Sequence, residues 1–415
     1  MIQQAQTAKA FMPRDYDIFS GLDVDKKSMS ITFKDHQEMK QSLRIPYSSH
    51  NLVNYTRKHF ANQKVAFVYE AGPTGYGLYD DLNREGYCCL VVAPSMVPTA
   101  PGKLVKTNRL DSIKLAEGLR GGQLKSIHVP SMSYRHLRHL VGLRDTFVRQ
   151  ATADKCRIKA LLLFEGMSFP AEEGGSQWSK TVIQKLKELA CADAVRFKLS
   201  QLISNLEFAQ KQTRETMKEI YRFCEADSEI KRCIGFLKSI PGIGAILATH
   251  LLARIGDWKH LKNVRQLAGF FGLGTREDST GDSIRRGSIT RCGDSRLVKK
   301  LIQGAWTAIR LDPEMREFYR RIYGRHPKPI AAKKAIVAVA RKMTTRIYTV
   351  LYEQRDYIVR HEISSATLTQ EETVCPRERL EYIQNHKDSP CDDSLLKTET
   401  PGPSVALDEA HLKTV

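Results

Sequence analysis

"YDIFSGLDVDKKSMSITFKD", residues 16–35, decides how the first third of the chain is read. A short apolar run, a tight turn around Asp25-Lys26-Lys27 and an alternating run from Ser28 to Phe33 predict two strands joined by a turn. "KVAFVYEAG" (64–72) is a continuous apolar run of the kind found in buried strands. A short helix carrying Leu78 and Leu82 should follow, then another buried strand in "GYCCLVVAP" (86–94). Strand, helix and strand at this spacing predict a parallel crossover and hence an α/β domain.

The pattern changes near residue 131. Leu137, Val141, Val148, Ala151, Ile158 and Leu162 step by three, four or seven, as one face of a long helix does. Glu165-Gly166 and "EEGGSQ" (172–177) break it, and Leu186, Leu189, Leu199, Leu202, Leu206, Thr213, Met217 and Ile220 predict a second long helix. The pair forms either a coiled-coil arm or a plain helical hairpin covering the first domain. Residues 233–357 read as a compact helical domain. In "DPEMREFYRRIYGRHP" Asp312 is the expected N-cap, Pro313 the first helical residue and Gly324 the stop. A last helix over about 329–357 carries Ile336, Val339, Met343 and Ile347 on one side. From there to residue 415 charges, prolines and serines prevail, which predicts a mostly disordered tail over 358–415.

At 415 residues the chain has room for two or three domains, and its net charge of +19 points to an acidic partner, nucleic acid first. Nine cysteines without a CxxC pair argue against a zinc ribbon or a disulfide framework and fit reduced thiols in the cytoplasm. No apolar run approaches ~18 residues, so no membrane span is expected. "MIQQAQTAKAFMPRDYD" (1–17) has no apolar core of a secretory signal.

Chemistry gathers in three places. Asp23 and Glu70 each end a predicted strand, and carboxylates at neighbouring strand ends converge on one edge of a sheet, where open α/β folds bind ligands. Asn108 and Asp111, three apart, share a helix face. Three carboxylates and an amide oxygen suit Mg²⁺; the alternative is that each acid caps a turn or helix. Asp25 falls in the turn and is expected to face solvent. In "FLKSIPGIGAILATHLLARIGD" (236–257), Gly242 and Gly244 open an apolar helix whose free N–H groups can hold a phosphate, in the manner of a helix-hairpin-helix element. An ordinary glycine turn between core helices is the competing reading, and His250 is expected to pack in the core. Third, "REDSTGDSIRRGSITRCGDSRLVKK" (276–300) sets small hydroxyls and glycines among Arg276, Arg285, Arg286 and Arg291, a mixture suited to bringing a hydroxyl against a phosphate. The loop holds no histidine, so activating a hydroxyl there calls for a metal or a carboxylate from the first domain. Leu297, Leu301, Ala305, Trp306 and Ile309 are expected to form the apolar face of the helix that anchors the loop.

Three segments, "IFSGLDVDKKSMSI" (18–31), "VYEAGPTGYGLYDDL" (68–82) and "KLVKTNRLDSIKLAEGLRGGQLKSIHVP" (103–130), resemble the RuvC-like, RNase H-fold domain of the insertion-sequence 110 (IS-110) family of DEDD transposases. "RQLAGFFGLGTREDSTGDSIRRGSITRCGDSRLVKKLIQGAWTAIR" (265–310) resembles the C-terminal transposase domain of the same family. The resemblance implies an α/β RNase H-like domain over 15–130, a helical coiled-coil arm over 131–232 and a mainly α transposase domain over 233–357. It implies that Asp23, Glu70 and Asp111 match the family's metal-binding acids, with Asn108 standing where the remaining acid usually sits. It further implies a serine nucleophile in a Ser-Ser-Gly-like loop. That loop reads Ser279-Thr280-Gly281 here, so Ser279 is the expected nucleophile and Thr280, Ser283 and Ser288 are lesser candidates. The implied partners are DNA, an element-encoded guide RNA and further copies of the chain, in a bacterial or archaeal cytoplasm at the nucleoid. A Mg²⁺-dependent junction nuclease using water and a non-enzymatic nucleic-acid-binding protein are the alternatives.

Overall fold

The computed structural model describes residues 11–98, 107–170, 178–280 and 283–359. The chain divides into two compact units, Met1–Arg135 and His136–Val415.

In the first unit β1 (Ile18–Val24) and β2 (Ser28–Lys34) form the hairpin expected from residues 16–35, with Leu22 opposite Ile31 and Asp23 opposite Ser30. β3 (Met39–Pro46) and α1 (Ser49–His59) follow, then β4 (Val65–Glu70), α2 (Gly77–Arg84), β5 (Cys88–Val92) and α3 (Asn108–Arg120). The sheet order is β3-β2-β1-β4-β5; β4 runs parallel to β1 and to β5, and β2 antiparallel to both of its neighbours. β3 and α1 were not expected. β3 is an edge strand with no fully buried residue; only Leu43 and Ile45 alternate towards the core, too short an apolar pattern to mark a strand.

Strand alternation splits the core in two. Ile18, Leu22, Phe67 and Tyr69 pack with Leu52 of α1 and with Leu78 and Leu82 of α2. Phe19, Ala66, Val68 and Leu90 pack on the other side with Leu115 and Leu119 of α3. α3 lies close on β1 because residue 21 is glycine: a Cβ there would stand 2.1 Å from the Ser112 carbonyl oxygen and 2.4 Å from the Ala116 nitrogen. Thr32 and Ser112 share a buried hydroxyl–hydroxyl bond of 2.8 Å across the same seam.

α4 (Met132–Phe164) leads into the second unit, followed by α5 (Lys180–Lys187), α6 (Asp193–Ala226), α7 (Ser228–Lys238), α8 (Ala245–Ile255) and α9 (Val264–Phe270). A two-stranded hairpin of β6 (Thr275–Glu277) and β7 (Arg286–Ile289) precedes α10 (Ser295–Leu311), α11 (Pro313–Tyr323) and α12 (Lys328–Glu353). At 1.5 Å per residue, α4 and α6 each run about 50 Å. Ile158 and Leu162 of α4 pack with Ile203 and Leu206 of α6 and with Val182 and Leu186 of α5.

Three expectations are corrected here. Leu186 belongs to α5, separated from α6 by residues 188–192, so the second long helix is shorter than its apolar spacing suggested. Val148 is 37% exposed, off the buried stripe of α4. Trp306 is 43% exposed, because the buried stripe of α10 runs through Leu297, Leu301, Gly304, Ala305 and Ala308 instead. Asp312 caps α11 as expected, accepting from the Glu314 and Met315 N–H groups, and Gly324 ends that helix. Ile336, Val339, Met343 and Ile347 are all buried on α12. The 172–177 break and the tail beyond residue 359 lie outside the described residues. No helix among the described residues is long and apolar enough to cross a membrane.

Candidate functional site

Two groups of residues carry chemistry, one in each unit. In the first, Leu22 of β1 pairs with Tyr69 of β4, so Asp23 and Glu70 stand one step further along two adjacent parallel strands. Asp23 alternates with Gly21 and Phe19, and Glu70 with Val68, which puts both carboxylates on the face covered by α3. Asp111 lies in the first turn of α3, beside the Ser112 carbonyl that abuts Gly21. Thr107 caps that turn, its hydroxyl accepting from the Leu110 N–H at 3.2 Å. All three acids are half-buried. Asn108 is exposed, and its Nδ2 donates to Asp25 Oδ2 at 2.6 Å, which engages the amide nitrogen and not the oxygen expected to act as a ligand. Lys34 and Arg120 both bind Glu117 one turn further along α3, and their hydrogen bonds hold its carboxyl below the usual glutamate range. Hard oxygen donors on one face suit a divalent cation. Among the described residues, however, no three His, Cys, Asp or Glu side chains yet stand close enough to form a ligand cluster.

In the second unit the serine segment is a β-hairpin rather than an open loop. Arg286 pairs with Glu277, the Asp278 N–H donates to the Arg285 carbonyl at 2.9 Å, and Thr280 and Ser283 exchange main-chain bonds of 3.2 and 3.1 Å. Gly281 and Asp282, at its tip, lie outside the described residues. Ser279 is exposed, and its hydroxyl donates to Glu277 Oε1 at 3.2 Å. Glu277 is a carboxylate within the segment itself, a source that the sequence pattern does not single out. It stands two residues before the serine, and its position on a strand is what brings it to the hydroxyl. Arg276 reaches the Thr290 carbonyl at 3.5 Å; Arg285 and Arg291 are exposed, and Ser288 is exposed on β7. Arg291 takes a left-handed φ of 56° while its N–H holds the Gly272 carbonyl at 3.0 Å.

The two glycines before α8 part company. Gly242 has a φ of +88°, and a Cβ on it would meet the Gly304 carbonyl oxygen at 2.1 Å. It therefore serves the packing of this turn on α10. Gly244 is exposed at the N-cap of α8, with open space around its Cα. His250 is buried as expected. Both its nitrogens face acceptors, the Ile246 carbonyl at 2.6 Å and Asp145 Oδ1 at 3.0 Å, and Lys300 also binds Asp145 at 3.0 Å.

Comparison with known proteins matches these two groups separately. A family model described as a transposase of the DEDD IS110 type matches residues 20–165, and one described as the transposase IS116/IS110/IS902 family matches residues 235–320. The chain belongs to the IS110 family of transposases. Among its relatives, y4qE of Sinorhizobium fredii, named as a transposase, is 34% identical over 260 residues, 62% of this chain and 62% of its own length. The match thus spans less than two thirds of that relative. The transposase for insertion sequence element IS1533 of Leptospira borgpetersenii is 22% identical over 60% of this chain and 72% of its own. The pilin gene-inverting protein of Moraxella bovis is 30% identical over 34% of this chain and 43% of its own. Asp23, Glu70 and Asp111 fall within one matched segment and Ser279 within the other.

Proposed function

We propose that this chain cuts and rejoins DNA strands at the ends of an insertion element, with Ser279 as nucleophile. The observation that carries the reading is the hydrogen bond from Ser279 to Glu277 on an exposed hairpin that also holds Arg276 and Arg285, with Arg291 two residues past its end. A serine hydroxyl attacks only when a base takes its proton, and Glu277 is placed to accept it. As Oγ bonds to phosphorus, the bond from phosphorus to one deoxyribose oxygen breaks, and that oxygen leaves with a proton as a hydroxyl. One phosphoester forms for each one lost, so a second DNA hydroxyl can reverse the step and join a new strand without an energy source. The arginines offset the charge that builds on the phosphate.

Asp23, Glu70 and Asp111, on one face of an RNase H-like sheet, would hold Mg²⁺. Bound there, the ion would supply electrostatic stabilisation of a phosphate undergoing displacement. Asn108 adds no charge, and with its amide nitrogen bonded to Asp25 it would offer the ion its amide oxygen. Symmetric strand exchange engages more than one copy of the chain, and a homo-oligomer follows from that reading. A net charge of +19 accommodates both the DNA and an element-encoded guide RNA, in the cytoplasm at the nucleoid.

The test is denaturing electrophoresis of labelled element-end DNA incubated with protein, Mg²⁺ and the element's flanking RNA. A labelled band at protein mass, absent with Ser279→Ala and with Asp23→Ala, is expected. Free cut ends without that band, unchanged by Ser279→Ala, would replace this reading with a water-using nuclease.

A further inference from the structure

The exposure of Trp306 has a counterpart on the next helix. Tyr319 of α11 packs against the indole with ring centroids 5.8 Å apart and planes tilted by 56°. Tyr323, one turn on, stacks against Tyr319 at 5.9 Å and 27° and is itself 37% exposed. The three rings form a row across α10 and α11 with Tyr319 wedged between the other two. The exposed Arg316 guanidinium donates to the Ile309 and Arg310 carbonyls at 3.2 and 2.6 Å, tying α11 to the C-terminal end of α10.

The surroundings are cationic. Arg310 lies one turn from Trp306, Arg320 follows Tyr319 directly, Arg325 lies two residues past Tyr323, and all three are exposed. Two of the three acids in this stretch are already engaged. Asp312 is buried against Arg346 and Tyr357, and Glu314 binds Lys342 and Arg346. A tyrosine pair at i, i+4 can be explained as helix stabilisation worth a few tenths of a kcal/mol. That explanation needs neither the exposed indole on a different helix nor the arginines beside it. Flat aromatic faces in a row, flanked by guanidinium groups, are the combination that holds unpaired bases and their phosphates together.

We propose that Trp306, Tyr319 and Tyr323 form a stacking platform for unpaired bases of single-stranded DNA, with Arg310, Arg320 and Arg325 meeting its phosphates. The assignment to DNA rests on the transposase reading above. Strand cutting releases unpaired DNA, and the hairpin that carries Ser279 runs directly into α10, from Ile289 to Ser295.

The test is titration of the full chain with an oligothymidylate of about a dozen nucleotides, a length within single-strand site sizes, followed by tryptophan emission and by anisotropy of a labelled strand. Binding needs no cleavage, so a chain that fails to form a serine adduct still reports on the platform. Trp306→Ala and Tyr323→Ala should each weaken oligothymidylate binding about tenfold, the loss expected from one stacked base, and leave a duplex of the same length unaffected. Trp306→Phe should retain most of the affinity while removing the saturable fall in emission, which guards against a variant that merely unfolds. Arg320→Gln should flatten the salt dependence by about 0.7 in the log–log slope. Unchanged affinity in both alanine variants, an equal loss on duplex, or a loss confined to oligouridylate would each overturn the proposal. So would a change in oligomeric state caused by Trp306→Ala, which would assign this face to a second copy of the chain.

Discussion

The acids and the serine are held in opposite ways. Asp23 and Glu70 extend strands whose preceding residues, Leu22 and Tyr69, are fully buried, and Asp111 sits on a helix whose backbone touches β1 at Gly21. Ser279 sits on a two-stranded hairpin in which Thr275, Arg276 and Glu277 are all exposed. Packing positions the first group, so its geometry is set by the whole sheet. A few main-chain bonds position the second, and an isolated pair of strands is only marginally stable in water. On the proposed function, the difference is a division of labour: acids fixed by packing, and a serine on an element held by few contacts.

The largest effect should separate the two regions as sources of the base. If Glu277 takes the proton from Ser279, Glu277→Gln should slow formation of the protein–DNA adduct by about 10²–10⁴-fold, the usual contribution of a positioned base, without altering the urea midpoint. An unchanged adduct rate would break the comparison, because the hairpin would then not supply the base. Next in size is Gly21→Ala. Its Cβ has backbone atoms at 2.1 and 2.4 Å, where no side chain can yield, so β1 and α3 must separate. A loss of about 3 kcal/mol in urea unfolding is expected, at the upper end of overpacking costs. A native midpoint would show that Asp111 is not held to β1 through this contact.

How much of this could be read in the sequence follows the same division. The strands of Asp23 and Glu70 were legible because buried strands write themselves as apolar runs, and the caps at Asp312 and Gly324 because each needs one residue type at one place. β3 puts only Leu43 and Ile45 against the core and leaves a fainter trace. The fate of Gly242 was hidden because its neighbour, Gly304, lies 62 residues away on α10, and sequence spacing does not report such contacts. Trp306 was assigned to the wrong face because Ala305 and Ala308 set the buried stripe, and small residues weigh little in an apolar pattern. Glu277 escaped notice because the segment was read as a loop, where a serine and an acid two apart have no defined relation. Strand pairing gives them one.

Acid should act on the body beneath the hairpin rather than on the hairpin itself. Burial pushes the Asp145 carboxyl up, but the His250 hydrogen bond and the charges of His250 and Lys300 outweigh it and lower its pKa from 3.8 to about 2. The folded form therefore binds this proton less readily than the unfolded chain does. The stabilisation is complete above about pH 4 and is lost as pH falls towards 2. Asp145 joins α4 to α8 and α10, and its share should be about 1–2 kcal/mol, measured as the part of the acid-unfolding slope between pH 4 and 2 that Asp145→Asn removes. An identical slope in the variant would mean that these helices are held by their apolar stripes alone.

The smallest expected effect is the sharpest test of the contrast. Ser279→Ala removes one exposed hydroxyl and its 3.2 Å bond to Glu277, and surface changes of this kind stay within about 0.5 kcal/mol. Adduct formation should vanish while the thermal and urea midpoints stay where they are. Chemistry and stability would then be uncoupled at the serine, whereas at Gly21 one added carbon disturbs both, because Asp23 and Asp111 flank the contact it breaks. A Ser279→Ala chain that lost stability as Gly21→Ala does would show that the hairpin is part of the packed body, and that the serine is brought to its phosphate by the fold rather than by a movement of the hairpin.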